Sequence, residues 1–136
     1  MVYEFIVPGE VVGKGRPRLN TYTGHVYTPG KTKDYETLVE QYFKVKYPRV
    51  EPFEGRVSIE IKAYLKIPKN MTKKDLKKVE EGLLSPTKKP DIDNIVKVIL
   101  DALNKMAFKD DTQITKLLVE KEYAEEESVY IKIEEY

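Results

Sequence analysis

Between Val57 and Ile67 the chain places Val57, Ile59, Ile61, Ala63, Leu65 and Ile67 in strict alternation with Ser58, Glu60, Lys62, Tyr64 and Lys66. This period of two belongs to an extended strand with one face toward a core and one toward water. A chain with such a strand must build a sheet and cover one side of it. Shorter β patterns flank it, at Tyr3–Val7 before Pro8-Gly9, and at Ile114–Tyr123 and Ser128–Ile133, which read as a terminal antiparallel hairpin turning at Glu125–Glu127. Helical spacing appears at Tyr35, Leu38, Val39 and Tyr42 ahead of Pro48, and again from Asp93 to Met106. A short basic helix follows Thr72, whose spacing to Asp75 suits an N-cap, and stops at Gly82. Strands and helices do not alternate regularly. The pattern predicts one small α+β domain over residues 1–136, a mixed β-sheet with two main helices packed on it.

The residue types present narrow the chemistry. The 136 residues include no cysteine and a single histidine, His25, which reads as structural. Disulfides, thiolate zinc sites, cysteine nucleophiles and histidine-based triads are therefore excluded. No run approaches the ~20 apolar residues of a bilayer span, and the opening MVYEFIVPGE lacks the basic start of a secretory signal. A cytoplasmic protein is the expectation. The net charge of +1 conceals a division: residues 1–90 hold 18 Lys/Arg and 11 Asp/Glu, whereas residues 91–136 hold 6 and 12. A basic front and an acidic back suit a polyanion partner meeting a carboxylate site, although a surface of varied charge gives the same count.

The segment KPDIDNIVKVILDALN, residues 89–104, carries most information. At about 100° per residue, Asp93, Lys97, Asp101 and Asn104 share a stripe about 80° wide, and apolar side chains fill nearly all the remainder. Charges kept on so apolar a helix are costly unless paired or bound, which favours a stripe facing a cleft. Asp91 and Asp93 point about 160° apart on a helix but to one side of an extended segment. Pro90 suits an extended lead into the helix, with both carboxylates near its N-terminus. Taken alone, such a pair also serves as an N-cap and a first-turn acid.

A second acidic pair, Asp110-Asp111, lies in FKDDTQI, where ordinary turn chemistry would also explain it. Two acid pairs flanking one helix change the balance, because a chain folding back would gather them in one cleft. Carboxylates so gathered repel one another, and a divalent cation relieves the repulsion. An oxygen-only ligand set fits Mg²⁺, or Mn²⁺ in its place, better than Zn²⁺. Lys97, one turn after Asp93, is placed to meet a phosphate or developing oxyanion, or to pair with Asp93 and Asp101.

In GKGRPR, residues 13–18, Lys14, Arg16 and Arg18 alternate within a Gly/Pro loop. Extended, they would form one row of cations for successive phosphates. Lys73, Lys74, Lys77 and Lys78 read as a solvated face, and Tyr22, Tyr27, Tyr35 and Tyr42 as core packing rather than base stacking.

Together KPDIDNIVKVILDALN, FKDDTQI, GKGRPR and the YTP of Tyr27–Pro29 resemble the RusA-like Holliday junction resolvases, small bacterial and prophage endonucleases. The resemblance implies a homodimeric, Mg²⁺-dependent nuclease that cuts two strands of a four-way DNA junction symmetrically, in recombination and repair. By motif position it implies Asp91, Asp93 and Asp111 as catalytic and metal-binding acids, with Asp110 a further candidate ligand, and Lys97 as the base or charge stabiliser. Lys14, Arg16 and Arg18 remain the candidate DNA contacts. A domain of this size has a radius of gyration of about 14 Å, too small to hold two active centres at both cuts of a junction. Two subunits about a two-fold axis remove the difficulty. A nuclease for other branched or flapped DNA, or a non-catalytic DNA-binding module, stands as the alternative. The stretch from Pro48 to Ser85 matches no motif of the family.

Overall fold

The computed structural model describes residues 1–27 and 29–136, so the Thr28 of the YTP motif lies outside the described residues. The main sheet has four strands, β1 (Val2–Pro8), β4 (Val57–Lys66), β5 (Ile114–Ala124) and β6 (Ser128–Glu135), in the order β1-β6-β4-β5. A two-residue ladder, β2 (Arg18–Leu19) with β3 (Val26–Tyr27), forms the expected irregular hairpin. Gly24 takes a positive φ of 70° in its turn, a conformation that costs glycine least. Three helices complete the chain: α1 (Gly30–Lys46), α2 (Lys73–Glu80) and α3 (Ile92–Leu103). The α+β reading with two main helices on a mixed sheet is confirmed.

The alternating strand predicted from the sequence is β4, and its odd-numbered apolar residues are all buried. Tyr3, Phe5 and Val7 of β1 and Val129, Ile131 and Ile133 of β6 extend the same buried face. Tyr35, Val39 and Phe43 of α1 and Ile95, Val98, Ile99, Ala102 and Leu103 of α3 close over it. Each buried Val, Leu, Ile or Phe side chain among these contributes about 1.5–3 kcal/mol. The thin amphipathic α2 buries no residue, and its lysines lie on a solvated face, as expected; Thr72 caps it by accepting from the Asp75 N–H at 3.2 Å.

The terminal hairpin does not form. β5 runs parallel to β4, β6 runs antiparallel to β4, and β4 lies between them. Composition explains the order. β4 and β6 both alternate cleanly and can be central, whereas Thr115-Lys116-Leu117-Leu118 breaks the alternation and tolerates an edge. Residues 125–127 carry the chain past the end of β4 into β6. The second main helix also ends at Leu103 rather than Met106, because Asn104 turns extended and Lys105 takes a φ of 69°.

Strands β1, β4 and β5 all point the same way, which gives the domain an upper end, where they finish, and a lower end, where they begin. Both main helices start at the upper end. Asn94 of α3 accepts from the Lys14 N–H at 2.9 Å, and Thr32 of α1 accepts from the Gly15 N–H at 2.9 Å. At the lower end Lys46 Nζ and the Tyr47 hydroxyl, just after α1, donate to the Glu4 carbonyl at 2.6 and 3.1 Å.

Candidate nucleic-acid interface and acidic residues

The loop GKGRPR lies directly on the start of α3. A Cβ on Gly13 would stand 2.8 Å from Pro90 Cβ and 3.1 Å from Asn94 Cβ, so only glycine permits this approach. Gly15 is similarly close to the Thr32 hydroxyl, at 3.0 Å. Thr32, almost fully buried, accepts from the Gly15 N–H and donates to the Gly13 carbonyl at 3.3 Å. Between the glycines, Lys14 turns inward. Its ammonium meets Glu36 Oε1 at 2.6 Å and Asp101 Oδ2 at 3.1 Å. Burial alone would lower the Lys14 pKa, but the hydrogen bonds to Glu36 and Asp101 outweigh it and raise the value above the ordinary lysine range.

The expected three-cation row is thus reduced. Lys14 is a tether between the loop, α1 and α3, whereas Arg16 and Arg18 are exposed and, among the described residues, make no ion pair. Beyond them the hairpin presents Tyr22, 99% exposed, and Tyr27, 45% exposed. Tyr42 is likewise exposed, and of the four tyrosines assigned to the core only Tyr35 enters it. His25, read as structural, also lies exposed on the hairpin. The neighbouring Asn-Thr-Tyr-Thr-Gly turn was the available signal: its polar, glycine-containing sequence carries Tyr22 outward, and aromatic spacing alone does not reveal that.

Asp91 occupies the N-cap of α3 in an extended conformation, φ −67° and ψ 150°, as predicted from Pro90. Its side chain makes no capping hydrogen bond. The carboxylate is therefore not engaged by the helix it precedes. Asp93 follows in the first turn and Lys97 one turn later, both exposed. Among the described residues no ion pair joins Lys97 to Asp93 or Asp101. Of the polar stripe on α3, Asp93, Lys97 and Asp101 are exposed, with Asp101 turned to Lys14, whereas Asn104 is half-buried.

The second acidic pair divides its labour. Asp110 caps a 3₁₀ turn, Asp111–Gln113, accepting from the Thr112 N–H at 3.3 Å and the Thr112 hydroxyl at 2.5 Å. Gln113 Oε1 returns a bond to the Asp110 N–H at 2.8 Å, completing a capping box. The Thr112 hydroxyl holds the Asp110 carboxyl below its usual range. Ordinary turn chemistry therefore accounts for Asp110, and Asp111 stands exposed beside it.

The two acidic pairs do not meet within one chain. Gln113 Nε2 donates to the carbonyls of Phe53 and Gly55, at 2.8 and 2.7 Å, which fixes the Asp110-Asp111 turn at the lower end where β4 begins. Lys88 accepts from Lys121 Nζ, and Lys89 and Pro90 share a cavity with Leu65 and Lys66, which fixes Asp91 and Asp93 at the upper end where β4 finishes. The ten residues of β4 lie between, about 30 Å of strand. Among the described residues no three acids are close enough to hold a metal ion. The cleft expected from a folded-back chain is corrected: α3 descends along the sheet, and the chain returns through β5 instead of doubling back to the start of α3.

The comparison that bears on this arrangement is with protein families. The family described as Endodeoxyribonuclease RusA matches residues 8–134, which takes in the loop, α3 and both acidic pairs. The chain belongs to the RusA endodeoxyribonuclease family. This RusA-family chain is also 41% identical to a Bacillus subtilis (strain 168) protein described as Uncharacterized protein YqaN, over 97% of this chain and 95% of the relative. Membership makes the chain an endodeoxyribonuclease by class, a hydrolase of DNA phosphodiesters. No helix of the RusA-family chain among the described residues is long and apolar enough to cross a membrane.

Proposed function

We propose that this RusA-family chain is a Mg²⁺-dependent endonuclease for branched DNA, above all four-way junctions, working in recombination and repair as a homodimer that cuts two strands symmetrically. The observation that carries the reading is the pair of unengaged acids: Asp91 sits at an N-cap without capping, and Asp111 sits beside an acid that caps in its place. The donor set is all carboxylate, which fits a hard divalent cation such as Mg²⁺ or Mn²⁺. One chain contributes Asp91 and Asp93 at one end and Asp111 at the other, so the complete set of three requires a second copy. The cation would be held by Asp91 and Asp93 of one subunit together with Asp111 of the partner subunit.

When bound, the cation lowers the pKa of an attacking water and neutralises charge at the leaving oxygen. The protein's own groups do the rest. Arg16 and Arg18 hold backbone phosphates at the end of the domain where both main helices begin, an end whose helix dipoles also favour anions. Tyr22 offers a ring to an unstacked base at a branch point. Lys97, one turn along α3 from Asp93, faces the charge that develops on the phosphate. Contacts to backbone rather than base edges select branched shape over sequence.

The test is cleavage of a synthetic four-way junction, a flap and a linear duplex, with and without Mg²⁺. Paired nicks in the junction that require Mg²⁺ are expected. Asp91→Asn, Asp93→Asn and Asp111→Asn are each expected to abolish cutting while retaining or tightening binding, because negative charge is removed near DNA. Preferential cutting of the flap would move the substrate to other branched DNA. Binding without cleavage under any divalent cation would reduce the chain to a DNA-binding module.

A further inference from the structure

Between the end of β4 and the start of α3 the chain makes an excursion, residues 68–89, that carries α2. Both of its ends are tied to the upper end of the sheet. The Ile67 N–H donates to the Ala124 carbonyl at 3.0 Å where the excursion leaves, and the Lys88 carbonyl accepts from Lys121 Nζ where it returns. Between those ties, among the described residues, every hydrogen bond of the excursion stays within it. α2 itself buries no residue, so the core is complete without it. At about 100° per residue, Lys73, Lys74, Lys77 and Lys78 fill an arc about 140° wide, and the half-buried Asp75 and Val79 lie on the other side. All four lysines are exposed, and among the described residues none forms an ion pair.

Of the chain's 24 Lys/Arg and 23 Asp/Glu, the excursion holds 7 and 3, which leaves 17 and 20 for everything else. Without it the protein would approach DNA with a net negative charge. The loop GKGRPR does not reverse that balance, because Lys14 is taken up by Glu36 and Asp101. We propose that α2 is a phosphate clamp for a duplex arm of the DNA, gripping backbone to one side of the branch. This rests on the branched-DNA reading above and adds a contact that is independent of the branch itself. Lys73 and Lys74 stand one turn, about 5.4 Å, from Lys77 and Lys78. The face therefore offers two rungs of charge to phosphates along one strand. An ammonium is a point charge on a flexible stem and lacks the planar fork that reads a base edge, so the clamp is indifferent to sequence. Its attachment at the upper end, with Lys88 and Lys89 leading directly to Pro90 and Asp91, sets the held arm beside the acids at the start of α3.

Lys73→Gln, Lys74→Gln, Lys77→Gln and Lys78→Gln combined remove four charges with a residue that suits a helix about as well. Titrations of a four-way junction and of a linear duplex across salt concentrations, without divalent cation, read the contact free of cleavage. The variant is expected to bind both DNAs about tenfold or more weakly near 0.1 M salt, and to lower the slope of log K against log salt by about two per chain, the loss for two phosphates. The lighter Lys74→Gln with Lys78→Gln is expected to lower it by about one. Lys73→Arg, Lys74→Arg, Lys77→Arg and Lys78→Arg together are expected to bind as wild type does. Lys62→Gln with Lys132→Gln, on the face of the sheet away from the helices, is expected to leave the slope unchanged. Circular dichroism confirms that each variant is folded. An unchanged slope in the folded glutamine variants, or a loss confined to the junction, would overturn the clamp and leave the branched-DNA reading standing. A wild-type chain that binds neither DNA would overturn that reading and the clamp with it.

Discussion

Lys14 Nζ lies 2.6 Å from Glu36 Oε1, so a cation inside a basic loop is directed into the protein and not toward a ligand. The pair joins the loop to α1, and the 3.1 Å contact with Asp101 joins it to α3. Lys14→Met is expected to destabilise the fold by about 1–3 kcal/mol, less than a fully buried pair because the ammonium retains some exposure. Its effect on the salt dependence of DNA binding should be small. Urea unfolding and binding titrations across salt concentrations separate the two effects, and a slope change equal to that of Arg16→Ala would return Lys14 to the phosphate row.

Arg16 and Tyr22 are expected to fail in different ways. Arg16→Ala should weaken junction binding and reduce the slope of log K against log salt by about one, since one phosphate contact is lost. Tyr22→Ala should weaken binding by about 1–3 kcal/mol with the slope unchanged, because stacking releases no counterion. Parallel titrations of both variants check the distinction.

Asp110 and Asp111, adjacent in sequence, are expected to behave as different kinds of residue. Asp110→Ala removes an N-cap and should lower stability modestly with cleavage reduced only in part. Asp111→Ala should leave stability nearly unchanged and abolish cleavage. The Asp110 carboxyl is held below its unfolded value of 3.8 by Thr112, so the cap stabilises above that pH and its contribution is lost as pH falls through the lower folded value. Thermal melts of wild type and Asp110→Ala between pH 2 and 6 should converge at the acid end.

Tyr130 predicts an alkaline counterpart. Its hydroxyl donates to Glu4 Oε2 at 2.7 Å, and this bond to a carboxylate, together with partial desolvation, pushes its pKa from 10.0 up to about 12. Between these values the unfolded chain has lost the proton and the folded chain retains it, so stability is intact below pH 10 and falls as pH rises toward 12. Tyr130→Phe should flatten that decline, measured by denaturant midpoints from pH 9 to 12.

The residues that were legible in the sequence were those whose neighbours are local. The alternation of β4 and the Thr72 cap depend on chain spacing alone, and both appear as expected. So does the stripe of α3, because an apolar helix has few ways to place Asp93, Lys97 and Asp101. The misreadings concern partners far along the chain. Glu125–Glu127 looks like a hairpin turn because nothing near it reveals that β4, some sixty residues earlier, inserts between β5 and β6. Lys14 looks like its neighbours Arg16 and Arg18 until Glu36 and Asp101 are brought beside it. The acidic pairs look like one cleft because helix and turn are consecutive in sequence, yet the direction of α3 along the sheet separates them.

The central claim is that each catalytic centre draws acids from two copies of the chain, and co-expression of Asp91→Asn with Asp111→Asn tests it most directly. Each variant alone should be inactive. In the mixed dimer one centre receives both substitutions and the other receives none, so Mg²⁺-dependent nicking of the junction should return to about a quarter of the wild-type level when the copies assort at random. Mixed dimers that form but remain as inactive as either variant alone would place all the acids of a centre within one chain and contradict the account.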